Sequence, residues 1–226
     1  MKILITGASR GIGKKLYNYF KLNHEVYTIS RSPGKTKNDF SSDLSDIKDL
    51  KEISRKINRL DVIINNAAIT FYSKDKIENF EKIIQTNLNA PYFVSSIFLK
   101  QLKKSKIKSI INISSINAFQ GFENNPGYVA SKSGLVGLTR ALAIDYKKYK
   151  IRVNCVSPGF FKDGGMTMKS YKNKKRRKKI SDRTILKRWG SSKDIFGIIE
   201  YLMSNRSSYV TGQNFIIDGG WLAQGI

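Results

Sequence analysis

The stretch Lys2-Ile3-Leu4-Ile5-Thr6-Gly7-Ala8-Ser9-Arg10-Gly11-Ile12-Gly13 decides the reading of the fold. Its first five residues are apolar and β-branched enough for a short strand, and an amphipathic helical pattern begins near Ile12. Glycines at a strand-to-helix turn let the backbone come close to a ligand. The helix N-terminus beyond them offers free N–H groups and a positive dipole end to a pyrophosphate. Alone, Gly-x-x-x-Gly-x-Gly reads equally well as a tight turn with close helix packing, so the rest of the chain has to decide.

Outward from that turn, short strand-like runs recur at Glu25 to Ile29, Asp61 to Asn65, Ile107 to Ile113, Ile151 to Val156 and Asn214 to Ile217, separated by longer segments of helical spacing. Strands alternating with helices imply parallel pairing and a three-layer αβα sandwich. Leu60 to Ile64 and Ile107 to Ile113 are apolar on both faces, which marks central strands covered on both sides. No repeat, Pro-rich linker or composition break appears, so residues 1–226 are expected to form one doubly wound α/β domain.

The 226 residues carry 41 basic and 17 acidic side chains, a net charge of +24. With 40% apolar and 11% aromatic residues the chain is too hydrophobic to be a disordered basic tail. It has no apolar run of membrane-spanning length, and its N-terminus enters a strand rather than a signal-peptide core, so a cytoplasmic protein without membrane partners is expected. Cys155 and His24 are the only residues of their kinds, which excludes an internal disulfide, a Cys/His zinc site and a histidine-based triad. No metal is expected.

Further signals fall at strand ends or on the helices beyond them: Asp43, Asn65-Asn66-Ala67-Ala68, Asn87, Ser114-Ser115 and Tyr128-Val129-Ala130-Ser131-Lys132. Ligands bind at those ends in open parallel sheets. Residues four apart on a helix share a face, so Lys132 brings its ammonium to the Tyr128 phenol. A nearby cation lowers the phenol's ordinary pKa of about 10 and makes it a usable acid at neutral pH. Taken singly, Tyr128 reads as a half-buried aromatic and Lys132 as a solvated helix charge.

With these motifs in this order, the chain resembles the short-chain dehydrogenase/reductase superfamily over its full length. It is most similar to the 3-oxoacyl-(acyl carrier protein) reductase-like branch, through Val156-Ser157-Pro158-Gly159 and Tyr209-Val210-Thr211-Gly212-Gln213 leading to Asp218-Gly219-Gly220. The resemblance implies a Rossmann-like sheet of seven parallel strands and an NAD(P)-dependent conversion between a carbonyl and a secondary alcohol. It implies Tyr128 as proton donor, Lys132 as its partner, Ser115 holding the substrate oxygen and Asn87 holding a water in the proton path. Ser114 is set aside because strand alternation points it the other way. It also implies a homotetramer or dimer, built on the long helices about Asp75 to Lys103 and Gly127 to Lys147 and on the C-terminal segment.

Gly7, Ser9, Arg10, Gly11, Ile12 and Gly13 would then hold the cofactor phosphates, Asp43 and Leu44 the adenine, Asn65, Asn66 and Ala67 the adenosine ribose side, and Pro158 and Gly159 the nicotinamide. An acid at the end of the second strand would select NAD, whereas an arginine accommodates a 2′-phosphate. Here Ser30 and Arg31 stand there with Arg10 close by, so NADPH is expected over NADH. Three positions depart from the family. Only eleven residues separate Arg31 from Asp43, so the intervening helix is short or missing. Asp163 stands where the family has a threonine for the nicotinamide carboxamide, with Thr167 as a substitute if the loop rearranges. Ala118 replaces a glycine after the serine pair.

Between Lys147 and Lys193 there are 17 bases and two acids, and eight of the bases fall in Lys169 to Lys179. The segment from about 160 to 190 is the family's substrate lid. A basic lid suits an anionic or carrier-linked substrate such as a 3-oxoacyl thioester, or a nucleotide-linked keto-sugar of surface carbohydrate synthesis. A solvated lid rich in lysine fits equally. From another class, a regulatory protein that binds NADPH or nucleic acid without turnover would use the same bases on phosphates, but the run lacks interleaved aromatics apart from Tyr171.

Overall fold

A computed structural model describes residues 1–32, 34, 36–71 and 77–224. The chain forms β1 (Lys2–Thr6), α1 (Gly11–Phe20), β2 (Glu25–Ser30), β3 (Asp39–Ser41), α2 (Ile47–Lys56), β4 (Val62–Asn65), α3 (Ile77–Ile84), α4 (Ala90–Ile97), α5 (Leu99–Lys103), β5 (Ser109–Ile113), α6 (Pro126–Asp145), β6 (Arg152–Pro158), α7 (Met168–Lys172), α8 (Lys174–Arg183), α9 (Lys193–Met203) and β7 (Asn214–Ile217). The seven strands make one parallel sheet in the order β3-β2-β1-β4-β5-β6-β7. The expected Rossmann-like sandwich is therefore present. Its order reverses between β1 and β4, and a crevice opens where the loops after those strands part company.

Strand alternation divides the core into two layers. Leu4, Ile29, Ile63, Ile110 and Val153 face α2, α4, α5 and α6. Ile3, Ile5, Val62, Ile64, Ile111 and Val156 face α1 and α9. β4 is buried at all four positions and β5 at all five, as expected of strands covered on both sides. The same alternation puts Asn65 and Asn112 on the α4/α6 face. There Asn65 donates to Asn112 Oδ1 (2.8 Å) and Ser95 Oγ (3.2 Å), and Asn112 donates to Thr139 Oγ1 (2.9 Å).

One expectation needs correction. The helix foreseen from Asp75 to Lys103 is not one rod. Asp75 lies outside the described residues, and a π-helical turn at Gln85–Asn89 and a break at Phe98 divide the remainder. Pro91 is the physical reason for the first break, because it has no N–H to donate to the Asn87 carbonyl four residues earlier. Between β2 and β3, no helix occurs among the described residues. The connection is instead closed by Asp39, which accepts from Thr28 Oγ1 (2.7 Å) and from Thr36 N (2.9 Å). No described helix is long and apolar enough to cross a membrane.

Candidate active site

A cleft of about 360 Å³ lies at the C-terminal ends of β1, β2, β4, β5 and β6. Its floor is the turn after β1, where Gly7, Ser9, Arg10, Gly11, Ile12 and Gly13 all line the space. All three of these glycines are required sterically, Gly11 by the lid loop and the other two by the end of β4. Gly7 has φ +70°, and a Cβ there would lie 2.6 Å from Ala67 Cα, while a Cβ on Gly13 would lie 2.3 Å from Asn66 Nδ2. Asn66 is what fills that space. Its amide donates to the Thr6 and Gly7 carbonyls at 3.0 and 3.1 Å, tying the turn to the end of β4. The result is a bare backbone cradle at the N-terminus of α1, of the size and polarity a dinucleotide pyrophosphate needs.

Ser30, Arg31, Asp43 and Leu44 line one end of the cleft. Asp43 accepts from the backbone N–H and hydroxyl of Ser45 (2.9 and 2.7 Å), and these bonds, helped by the Arg31 charge, hold its carboxyl below the ordinary aspartate range. Arg10 and Arg31 are exposed and make no ion pair among the described residues.

At the other end stand Ser115, Tyr128, Lys132, Pro158 and Gly159. Lys132, one turn along α6 from Tyr128, is only 2% exposed. Its Nζ lies 5.6 Å from the centre of the Tyr128 ring and donates to the Ile113 carbonyl at 2.8 Å. Burial pushes this ammonium down to about 8, and burial likewise pushes the Cys155 thiol beneath it up to about 11. A lysine held this deep is costly and is retained where its charge has a task. Both serines border the cleft; the Ser115 hydroxyl accepts from Asn117 N (3.2 Å), whereas Ser114 donates its hydroxyl to the Lys132 carbonyl (2.9 Å).

Two of the expected site residues lie outside the lining of the cleft. Asn65 does not line the cleft, because on β4 it shares the face of Ile63 and turns into the α4/α6 layer. Asn87 does not line it either. Its side chain is fully buried, accepting from Ile69 N (2.8 Å) and donating to Ile69 O (2.9 Å) and Ser131 Oγ (3.2 Å).

Tertiary contacts separate Asp163 from Thr167. The Asp163 carboxylate turns away to accept from Ser192 N (3.0 Å) and Ser192 Oγ (2.6 Å) at the start of α9. Thr167 lines the cleft instead, its hydroxyl bonded to the carbonyls of Phe161 and Gly164. Sequence reasoning missed part of the apolar lining: Phe122, Phe160 and Met166 also border the cleft. The lid loop carrying Gly164 and Gly165 rests on the glycine turn so closely that a Cβ on Gly11 would lie 2.7 Å from Gly165 N. No spacing in the chain announces that contact.

A family model described as enoyl-(acyl carrier protein) reductase matches residues 23–222. The 3-oxoacyl-[acyl-carrier-protein] reductase FabG of Rickettsia felis is 33% identical over 233 residues, 97% of this chain and 95% of that protein. Among solved structures, 4-hydroxyisoleucine dehydrogenase complexed with NADH matches with a TM-score of 0.90 at 32% identity, covering 99% of each chain. A putative NAD(P) dependent gluconate 5-dehydrogenase from Beutenbergia cavernae with bound NADP matches with a TM-score of 0.89 at 28% identity, covering 99% of this chain and 97% of that one.

Proposed function

The chain belongs to the short-chain dehydrogenase/reductase family, whose members interconvert alcohols and carbonyls with NAD(P), and on that premise we propose that it reduces the carbonyl of a 3-oxoacyl thioester with NADPH. The observation that carries the reading is the buried Lys132 ammonium beside the Tyr128 ring. A buried cation at that distance favours the phenolate over the phenol, so Tyr128 releases its proton to a developing alkoxide more readily than an isolated tyrosine would.

When bound, a reduced nicotinamide supplies the hydride. The chain's own groups do the rest. Tyr128 donates the proton to the substrate oxygen, and Ser115 holds that oxygen beside it. Lys132 spends one of its three N–H donors on Ile113 and has two for the ribose hydroxyls next to the nicotinamide. The Asn87 carbonyl, deprived by Pro91 of its α-helical partner, holds the water through which Lys132 recovers protons. Thr167 takes the carboxamide, with Pro158 and Gly159 over the ring. The bare turn from Gly7 to Gly13 receives the pyrophosphate, with Ala67 on the adenosine ribose side and Asp43 and Leu44 beside the adenine. Arg31 and Arg10 meet the 2′-phosphate, and Ser30 in place of an acid at the end of β2 supports NADPH over NADH.

The walls near Tyr128 favour a substrate whose charge is remote from its carbonyl. Phe122, Phe160 and Met166 carry no charge, and of the cations that line the cleft among the described residues, Arg10, Arg31 and Lys132, it is Lys132 that stands beside Tyr128. A sugar acid would bring its carboxylate into this apolar space, where an unpaired charge is penalised. A thioester places its phosphates many bonds away. Nucleotide-linked keto-sugars share that property and form the second reading. Oxidation of NADPH by acetoacetyl-coenzyme A, with no response to 5-ketogluconate, is the expected result of a substrate screen, and the reverse preference overturns the substrate assignment. Exposed apolar residues on α3, α4 and α6 (Ile77, Tyr92 and Ile144) support a homo-oligomer in solution.

A further inference from the structure

The bases of the lid are all exposed, but they are not spread evenly over its surface. A second cavity, of about 600 Å³, lies between α8 and the segment 187–191, outside the catalytic cleft. α8 turns Lys174, Arg177, Lys178 and Ser181 toward it, the i, i+3, i+4, i+7 positions of one face. Lys187 and Arg188 approach from the other side and Lys162 from below. Six cations thus converge on one space. Two acids offset them, Asp182 on Lys178 (2.6 Å) and Asp194 on Arg188 (2.8 Å). Lys162, Lys174 and Arg177 have no acidic partner among the described residues.

The cavity has a rigid back wall. Trp189 is 5% exposed, donates its indole N–H to the Arg177 carbonyl (3.1 Å), and packs edge-on against both Tyr171 and Phe160. Phe160 in turn borders the catalytic cleft, so one aromatic wall serves both spaces. Gly190, next to Trp189, pairs with the chain at Phe161, which anchors the segment that presents Lys187 and Arg188. By contrast Lys175, Arg176 and Lys179 belong to the same basic run but do not line the cavity.

From this arrangement we infer that the cavity is a binding site for a phosphate-bearing anion, separate from the cofactor cleft. Like charges facing one another across a space repel, and a multiply charged anion with several acceptor oxygens converts that repulsion into charge-assisted bonds. Two guanidinium groups, Arg177 and Arg188, suit phosphate oxygens in particular, and the Ser181 and Ser191 hydroxyls add neutral donors. A single phosphate does not fill the volume, so the group it is attached to has room. Because the wall is shared through Phe160, an occupant also braces the lid over the cleft.

Inorganic pyrophosphate is the probe, titrated into the full chain by calorimetry with the fluorescence of the two tryptophans read in parallel. K174Q/R177Q removes two cavity charges, and K175Q/R176Q removes two charges from the same helix outside the cavity. Both pairs leave the cofactor cleft intact, so pyrophosphate entering that cleft affects them alike. The expected result is affinity at least tenfold weaker in K174Q/R177Q and within threefold of the native chain in K175Q/R176Q. Equal losses in the two pairs, or no saturable binding, overturn the proposal. Displacement of pyrophosphate by coenzyme A assigns the phosphate to a coenzyme-linked substrate, and failure to displace assigns it to a free phosphoanion; either keeps the site. No step of the test uses turnover, so it stands or falls independently of the reductase reading.

Discussion

Replacing Lys132 by methionine should make the protein more stable while abolishing its chemistry. The Lys132 ammonium drops from an ordinary 10.5 to about 8 because it is buried. At about 1.4 kcal/mol per tenfold change, holding it charged in the folded state costs about 3 kcal/mol at neutral pH. Methionine fills nearly the same space with no charge. It leaves the Ile113 carbonyl without its hydrogen bond, a loss of about 1 kcal/mol. The net gain is about 2 kcal/mol, which for a chain of this size raises Tm by about 4–8 °C. The pH dependence has a definite sign. The unfolded chain binds the lysine proton more tightly than the folded one, so the penalty is complete below pH 8 and fades as pH rises toward 10.5. Cys155, held up to about 11, stays a thiol over most of that range. Thermal and urea unfolding of both proteins without cofactor, from pH 7 to 10, should show the stability gap narrowing as pH rises. A variant less stable than the native chain at pH 7, or a gap indifferent to pH, refutes the reasoning.

Arg31→Ala should weaken NADPH binding by about 1.5–3 kcal/mol and NADH binding hardly at all, read by cofactor fluorescence titration; a native preference for NADH contradicts the assignment of Ser30 and Arg31. Asp163→Ala should lower stability by about 1–2 kcal/mol through loss of its bonds to Ser192, with cofactor affinity unchanged. Thr167→Val should do the opposite, leaving Tm within a few degrees while raising the Kd for NADPH; a Thr167 effect on stability alone returns the residue to loop structure.

Much of this organisation is legible in the chain because it obeys local rules. The strands announce themselves as β-branched runs apolar on both faces, and the glycine turn and the Tyr128/Lys132 pair depend on spacings of a few residues. Two corrections were also readable. Asn65 lies two residues from Ile63 on a strand and must share its face, and Pro91 stands four residues after Asn87, where it breaks the helical ladder. Other features are tertiary. That Asp163 serves α9 and Thr167 the cleft depends on Ser192, twenty-nine residues away from Asp163. The division of the basic run into a cavity face and a solvent face depends on where α8 begins, set by Asn173 accepting from Arg176 N (2.9 Å).

The central claim is that Tyr128 is the proton donor of an NADPH-dependent carbonyl reduction. Its most direct test is the single-turnover rate of NADPH oxidation with acetoacetyl-coenzyme A in the native chain and in Tyr128→Phe, with NADPH affinity measured on the same samples. The substitution removes one oxygen and little packing, so cofactor affinity should hold within about threefold while the rate falls by at least the roughly 10²- to 10⁴-fold typical of a lost general acid. An unchanged rate in Tyr128→Phe contradicts the account.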